Sequence, residues 1–339
     1  MNILIIKQTS LGDVLHATAA LKPIRTKFPD AHITFMADKS TLPLIVNNRE
    51  INEIIEYDLN GLAGLLPFSP FRCLKKIAVL VRQIRMREYD LAFDLQGLIR
   101  TVFFLYTARA KKKFVKGRWP GVKGYKSEAI HAVDEIKRVI GLSGISCGDS
   151  KPCFSFEPDA GGSGISEILR NAGSSINPGN FQFIVVISPF TRWQSKDWGL
   201  HNYTRLLSLF PENFLILFTG AADKNKDIET VTALHPERTV NLAGLISINS
   251  FALLLSKSNV LISSDGFPVH LAAALNTPVV ALFGPTHEEK VGPFGGTSRI
   301  LRDTIHCTRC YKPRCRKGCM NYITPEEVLH AVKSLTDYS

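Results

Sequence analysis

Residues 260–286, VLISSDGFPVHLAAALNTPVVALFGPT, restrict the fold more than any other part of the chain. The apolar run 260–263 reads as a buried strand. Residues 269–275 read as a small-residue helix stopped by Asn276-Thr277-Pro278, and 279–283 as the next buried strand. Between the first strand and the helix, Ser264-Asp265-Gly266-Phe267-Pro268 supplies an Asp able to cap, a Gly, and a Pro suited to a first helical turn. Strand, tight turn, helix and strand in this succession make a βαβ unit, which calls for a parallel sheet. In open parallel sheets ligands bind at the carboxyl ends of the strands. A helix start at that place offers unpaired N–H groups and a positive dipole end to an anion. Asp265 and His270 add polar groups there, although a capping Asp and a packed His in an ordinary turn explain them equally well.

The same alternation runs along the whole chain of 339 residues. Strands are expected at 2–7, 31–37, 51–57 and 89–95. Helices are expected at 14–28 (kinked or restarted at Pro23), 42–47, 71–87, 98–108 and 127–140. Residues 8–13 read as a loop, and 67–70 as a break before the basic amphipathic helix 71–87. The Gly- and Ser-rich stretch 141–180, with a helix near 165–171, marks a domain boundary. Beyond it, strands at 183–188, 214–219, 239–242, 260–263, 279–283 and 299–302 alternate with helices at 200–210, 223–234, 247–256 and 269–275. Thr324-Pro325-Glu326-Glu327 opens a C-terminal helix. The pattern predicts an α/β protein with two Rossmann-like, doubly wound domains: one over 1–160, a linker over 161–180, a second over 181–325, and a terminal helix over 326–339.

Composition narrows the partners. A hydrophobic content of 45% supports sizeable cores. No apolar run reaches the about 20 residues that span a bilayer. The N-terminus reads as a strand without a basic leader or cleavage site, so a cytosolic protein is expected. A net charge of +11 favours an anionic partner: nucleic acid, a phosphorylated ligand or an acidic membrane surface. Nucleic acid is disfavoured, because the basic residues do not form a recognised reading module. Lys111, Lys112, Lys113, Lys116, Arg118, Lys123 and Lys126 fall within 110–126 with no acidic residue among them and with Trp119 and Tyr125 interleaved. That stretch reads as a loop, either merely solvated or built to bind an anion.

Chemistry-bearing residues recur just after strands. Ser10-Leu11-Gly12-Asp13 follows the first strand, and Asp13 is either a helix cap or a base within reach of a substrate hydroxyl. The loop is neither a P-loop nor a dinucleotide fingerprint, since the required Lys and glycines are absent. After the first strand of the second half, Thr191, Arg192 and Lys196 bring a hydroxyl and two cations, the groups that hold a diphosphate. A surface loop anchored by Trp193 and Trp198 is the alternative. Gly220-Ala221-Ala222-Asp223 follows the next strand, with Asp223 as a cap or as an acceptor from a ribose hydroxyl.

Gly12-Asp13, Trp193-x-x-Lys196-x-Trp198, Gly220 to Asp223, and Asp265-Gly266-x-x-x-His270 followed by Phe283-Gly284-Pro285-Thr286 form a set. In order and spacing this set resembles the ADP-heptose:lipopolysaccharide heptosyltransferases of glycosyltransferase family 9. His131-Ala132-Val133 is similar to a further family segment, and the resemblance covers nearly the full chain. It implies a GT-B fold, with two Rossmann-like domains facing each other across a cleft, the N-terminal one for the acceptor and the C-terminal one for the nucleotide sugar. It also implies inverting transfer of heptose from ADP-heptose to a lipid A–Kdo or heptosylated core acceptor, with no cofactor required. Asp13 would be the general base. Thr191 and Lys196 would hold the donor phosphates, with Lys196 also stabilising the departing ADP, and Arg192 counts with them as a donor-binding residue. Asp223 would meet the adenosine, and Asp265, Gly266 and His270 would line the pyrophosphate and sugar. Lys111, Lys113, Arg118 and Lys123 would meet the anionic acceptor at the inner face of the inner membrane. One departure stands out: the family usually has a hydroxyl residue and then Gly after the Asp, whereas Gly266 and Phe267 follow here. The alternative is a nucleotide-sugar enzyme of this fold with another donor or acceptor, or an epimerase.

Four of the seven cysteines fall in Cys307-x-x-Cys310-x-x-x-x-Cys315-x-x-x-Cys319. Thiols this close can surround one tetrahedral ion, and an all-sulfur site suits a structural Zn or Fe. Reduced thiols or a disulfide are the other states open to them. The expected role is structural, because the cluster falls outside the strand-end sites.

Overall fold

The computed structural model describes residues 1–339 apart from 66–68, 127, 129, 158–163, 305–308, 316–317 and 337–339. The chain divides into two compact units, Met1–Ser155 and Phe156–Ser339.

The first unit contains, in order, β1 (Asn2–Ile6), α1 (Leu11–Ala17), α2 (Leu21–Lys27), β2 (His32–Asp38), β3 (Glu53–Tyr57), α3 (Leu59–Leu65) and α4 (Pro70–Arg85). Then come β4 (Glu88–Asp94), α5 (Ile99–Thr107), β5 (Arg109–Lys116), β6 (Lys123–Tyr125) and α6 (Ala132–Gly141). Its six strands lie in the order β3-β2-β1-β4-β5-β6, all pairs parallel. This is the strand order of a dinucleotide-type doubly wound sheet, whose direction of winding reverses between β1 and β4. Ile3, Leu4, Ile5 and Ile6 are fully buried, as expected of a central strand covered on both faces.

Three sequence expectations are corrected in this unit. Residues 8–13 are not all loop: α1 already begins at Leu11, so Asp13 lies in its first turn. The helix expected at 14–28 is two helices joined by a 3-10 turn at Thr18–Ala20. Pro23 is the third residue of the second helix, where its missing N–H removes no intrahelical bond. The basic stretch is not a loop either. Residues 109–116 and 123–125 are the last two strands at one end of the sheet; short β6 is the edge and pairs only with residues 114–116 of β5, so the Lys side chains of 111–113 lie on a stretch open to solvent on one side. Smaller shifts occur elsewhere. Residues 39–44 form a 3-10 helix where a helix at 42–47 is expected. The helix expected from 127 starts at Ala132, capped by His131, whose Nδ1 accepts from the Val133 N–H at 3.1 Å. The break expected over 67–70 falls partly outside the described residues.

The second unit contains α7 (Ile165–Asn171), β7 (Phe183–Ser188), α8 (Leu200–Leu209), β8 (Phe214–Phe218), α9 (Asn225–Thr232), β9 (Thr239–Asn241) and α10 (Ile248–Ser256). It continues with β10 (Val260–Ser264), α11 (Phe267–Ala274), β11 (Val279–Phe283), α12 (Glu288–Val291), β12 (Ser298–Arg302) and α13 (Pro325–Leu335). The order β12-β11-β10-β7-β8-β9 is again all parallel, and it is the first sheet's order repeated. Here the winding reverses between β7 and β10. Trp198 is fully buried, packs edge-on to Tyr203 at 4.8 Å, and donates its indole N–H to the Ile323 carbonyl at 2.8 Å. That bond ties the loop after β7 to the segment leading into α13. The helix is closed at its start by a capping box between Thr324 and Glu327, as its sequence predicts.

Candidate active site

Most of the loop residues singled out by sequence lie at carboxyl ends of strands flanking the winding reversals, Asp13 after β1, Thr191 to Lys196 after β7 and Asp265 after β10, with Asp223 one strand further out, after β8. In the first unit the flanking strands are β1 and β4. Asp13 sits one helical turn past β1 and is held through both oxygens. One accepts from the Ser10 N–H (3.1 Å) and the Ser10 hydroxyl (2.9 Å). The other pairs with Lys7 Nζ at 3.3 Å. Asp13 is therefore a helix-start residue and an ion-pair partner at once. Burial raises the carboxyl's pKa, but the Lys7 ammonium, the two Ser10 donors and His16 outweigh it and hold the group well below the ordinary carboxylate range. Its side chain keeps 44% of its exposure, so it remains open to a substrate.

Lys7 is the residue that sequence reading missed. It is buried, and its ammonium also donates to the Leu95 carbonyl at 3.3 Å, which links the ends of β1 and β4. The available signal was a Lys directly after a run of apolar strand residues: a buried ammonium requires a partner. At the end of β4, buried Asp94 accepts from the Gln96 and Gly97 N–H groups at 2.8 and 3.0 Å. Burial raises its pKa above the ordinary value. Gly97 has φ +71°, and an added Cβ would lie 2.2 Å from the Lys116 carbonyl oxygen, so this turn admits only glycine.

In the second unit the corresponding strands are β7 and β10. Lys196 Nζ reaches Asp265 Oδ2 at 2.6 Å and lies 4.8 Å from the centroid of the Trp193 ring. Thr286, after β11, donates its hydroxyl to the same Asp265 oxygen at 2.6 Å. Asp265 is not a helix cap. The N-cap of α11 is Gly266, in an extended conformation, with no side-chain cap bond. At this helix start Pro268 has no N–H and the Val269 N–H donates to the Gly266 carbonyl at 3.2 Å, so the N–H groups of Gly266 and Phe267 are the ones left to face an anion beside Lys196. His270 is buried in the second turn of the helix. Thr191 stands next to Gly266, and its N–H is anchored by Asp197 Oδ1 at 3.0 Å. Arg192 is exposed. Asp223 is exposed after β8, with Lys224 4.0 Å away. Thus Thr191, Lys196, Asp265 and Gly266 come together, while Asp223 stands on the neighbouring strand end. Of the two tryptophans, Trp198 anchors the loop and Trp193 instead faces the Lys196 ammonium.

The basic residues behave differently. Lys111 pairs with Asp90 at 2.7 Å, Lys113 donates to the Tyr106 carbonyl at 2.9 Å, and Lys123 to the Leu142 carbonyl at 3.0 Å. Lys111 lies in the amino-terminal half of β5, about 13 Å along the strand from Val115, the partner of the last β4 residue, Asp94. Arg118 is exposed between the two edge strands.

Cys307 lies outside the described residues. Cys310 is exposed, Cys315 half-buried and Cys319 buried, and no group of three or more potential metal ligands occurs among the described residues. The described thiols do not by themselves make a metal site. Their segment is also not remote from the strand ends, contrary to expectation. Ser195 donates its hydroxyl to the Lys312 carbonyl (2.6 Å) and its N–H to the Pro313 carbonyl (3.1 Å), and Tyr311 N–H donates to the Pro285 carbonyl at 2.9 Å. A Cβ on Gly284 would lie 2.5 Å from Met320 Sδ. Arg302 and Arg309 both bind Glu288, at 3.2 and 2.5 Å. Although burial works against ionisation, these bonds bring the Glu288 pKa down to about 2. The segment braces the loops that carry Lys196 and Thr286.

Comparison with known proteins agrees with this geometry. The family description "Glycosyltransferase family 9 (heptosyltransferase)" matches residues 169–321. Lipooligosaccharide heptosyltransferase 2 of Haemophilus influenzae is 24% identical, with 99% of each chain covered. A glycosyl transferase family 9 structure from Veillonella parvula superposes with a TM-score of 0.80 at 19% identity, covering 100% of this chain and 97% of the other. The Escherichia coli ADP-heptose LPS heptosyltransferase II structure gives 0.76 at 19% identity, over 99% and 98%. The two doubly wound parallel sheets are the GT-B fold of these structural neighbours. Over residues 169–321 the chain is similar to glycosyltransferase family 9, the heptosyltransferase family, and over nearly its whole length it is similar to a lipooligosaccharide heptosyltransferase.

Proposed function

We propose that the protein transfers heptose from ADP-heptose to the inner core of lipopolysaccharide, onto Kdo or a heptose already in place, with inversion at the anomeric carbon. The observation that carries this reading is the convergence of Lys196, Asp265, Thr286 and the open start of α11 at one strand-end site. A dianionic diphosphate suits a cation beside free helix N–H groups. The names of the relatives supply the sugar and the acceptor class.

In this mechanism an acceptor hydroxyl gives its proton to Asp13 as its oxygen attacks the anomeric carbon. The bond from that carbon to the β-phosphate oxygen breaks, and ADP departs with the electron pair. Lys196 and the α11 N–H groups stabilise the charge that develops on the phosphate. Asp265 holds Lys196 in place, leaving ammonium protons for the ligand. Gly266 and His270 line the pyrophosphate and sugar, and Asp223 meets the adenosine, with Arg192 at the exposed side of the donor. Lys7, Ser10 and His16 hold Asp13 ionised, the state a base needs before it accepts a proton.

Lys113, Arg118 and Lys123 are proposed acceptor contacts, and Lys111 a more distant one. The enzyme would work in the cytoplasm at the inner face of the inner membrane, where its acceptor is anchored. No helix among the described residues is long and apolar enough to cross a membrane. The decisive experiment offers ADP-heptose with Kdo-terminated and heptose-bearing acceptors. Transfer to one of them is expected, and no transfer to either by folded protein overturns the reading. Competition by ADP-, UDP- and GDP-sugars separates it from an epimerase or another transferase of the same fold.

A further inference from the structure

The basic amphipathic helix α4 does not bury all of its apolar residues. Cys73, Leu80 and Ile84 face the core, with Ile77 and Val81 beside them. Phe71 (84% exposed), Leu74 and Met86 (78%) do not. The neighbouring helix α5 packs against α4 and presents Ile99 (79%), Phe103 and Tyr106, which are four and three residues apart and so lie on one stripe. Between the helices runs an open groove of about 640 Å³, with Leu74, Val81 and Phe103 as its walls and Arg82, Arg85 and Arg109 around it. Exposed apolar surface that is contiguous, rather than scattered, marks an interaction site.

The charge carried by α4 and α5 themselves is of one sign. No acidic residue occurs between Asp58 and Glu88, or between Asp94 and Glu128. Of the nearest carboxylates, Asp58 pairs with Lys76 and Glu53 with Arg87, and Glu88 stands exposed past the end of α4. Arg72, Lys75, Arg82 and Arg85 make no ion pair with the described residues. A second copy of the chain would set cations against cations here. An apolar stripe rimmed by unmatched cations instead fits a sheet of acyl chains beneath anionic headgroups.

We propose that the α4–α5 face docks on an anionic lipid bilayer, with Phe71, Leu74, Met86, Ile99 and Phe103 entering the interface and Arg72, Lys75, Arg82 and Arg85 pairing with lipid phosphates. This deepens the membrane contact proposed above by assigning it to a face, and that face is not the basic segment 109–126 on which the sequence placed it.

Vesicle co-sedimentation of the full chain tests the assignment without any acceptor present. Wild-type protein should pellet with phosphatidylglycerol–phosphatidylethanolamine vesicles, lose that binding with added salt, and stay in the supernatant with phosphatidylcholine vesicles. Each cation near an anionic surface strengthens binding about fivefold, so R82Q/R85Q should bind roughly 30-fold more weakly. L74S/F103S should weaken binding roughly tenfold or more. Both variants replace surface side chains, and turnover on a water-soluble, deacylated acceptor should equal wild type. Binding that ignores both variants or does not distinguish the two lipid compositions overturns the proposal. So does a dimer that L74S/F103S dissolves. Absence of turnover on the soluble acceptor would instead count against the transferase reading, since the vesicle assay does not depend on it.

Discussion

Lys196 and Asp265 stand 69 residues apart in sequence and 2.6 Å apart in space, with Asp265 almost wholly shielded from water. A carboxylate in that position needs its cation. Lys196→Ala should therefore act twice. It should lower stability by about 3 kcal/mol, because the buried carboxylate loses its partner, and it should weaken ADP binding. Asp265→Asn keeps the shape of the side chain and should cost less stability. Thermal unfolding and ADP titration calorimetry check both effects; unchanged ADP affinity in Lys196→Ala would remove Lys196 from the donor site.

Asp13→Asn should reduce kcat by a factor of about 10²–10⁴, the usual range for a lost general base, while ADP-sugar affinity stays within twofold. Steady-state kinetics and donor titration on the same preparation separate the two quantities. Near-normal turnover would dismiss Asp13 as the base.

Lys7→Met replaces a buried ammonium with an apolar chain of similar length, and its effect should depend on pH. Because Asp13 is held below its unfolded pKa, the ion pair's contribution is complete above the ordinary carboxylate pKa and is lost as pH falls through the depressed value. The stability gap between wild type and Lys7→Met should accordingly be widest near neutral pH and close in strong acid. The acid limb of kcat/KM should also move to higher pH in the variant, a shift that a purely structural Lys7 would not produce. Urea unfolding at a series of pH values and a pH–rate profile measure the two.

Gly284→Ala pushes a Cβ against Met320 and should destabilise the protein by about 1–3 kcal/mol. In a double-mutant cycle with Met320→Ala, part of that loss should disappear, with a coupling of about 0.5–3 kcal/mol. Strict additivity would show that the cysteine-bearing segment does not brace this loop.

How much of this was legible beforehand depended on what each residue contributes locally. The strands of both sheets read directly from sequence, since parallel strands buried on both faces are nearly unbroken apolar runs. Strands β5 and β6 did not, because Lys at a sheet edge reads like Lys in a loop. Asp13 and Asp265 each carried a cap reading and a functional one that spacing alone left tied. In the structure Asp13 does cap, through its capping box with Ser10, and also pairs with Lys7, whereas Asp265 caps nothing and instead holds Lys196 and Thr286. Thr286 stood inside a recognised motif, yet its hydrogen bond depends on how three strand ends meet, which no local pattern records.

The repeated strand order has a consequence for synthesis. In the first unit the centre of the sheet is closed by β1 and β4, whose facing residues, such as Asn2 and Asp90, lie 88 residues apart. At ribosomal speeds of 5–20 residues per second, β1 must wait roughly 4–18 s for that neighbour to be made. Until then its apolar edge has only β2 beside it. Lys7 and the first turn of α1, which carries Asp13, hang from this unfinished seam, so nascent chains should form the Lys7–Asp13 pair late and stay vulnerable to holdase chaperones and proteases until β4 is in place.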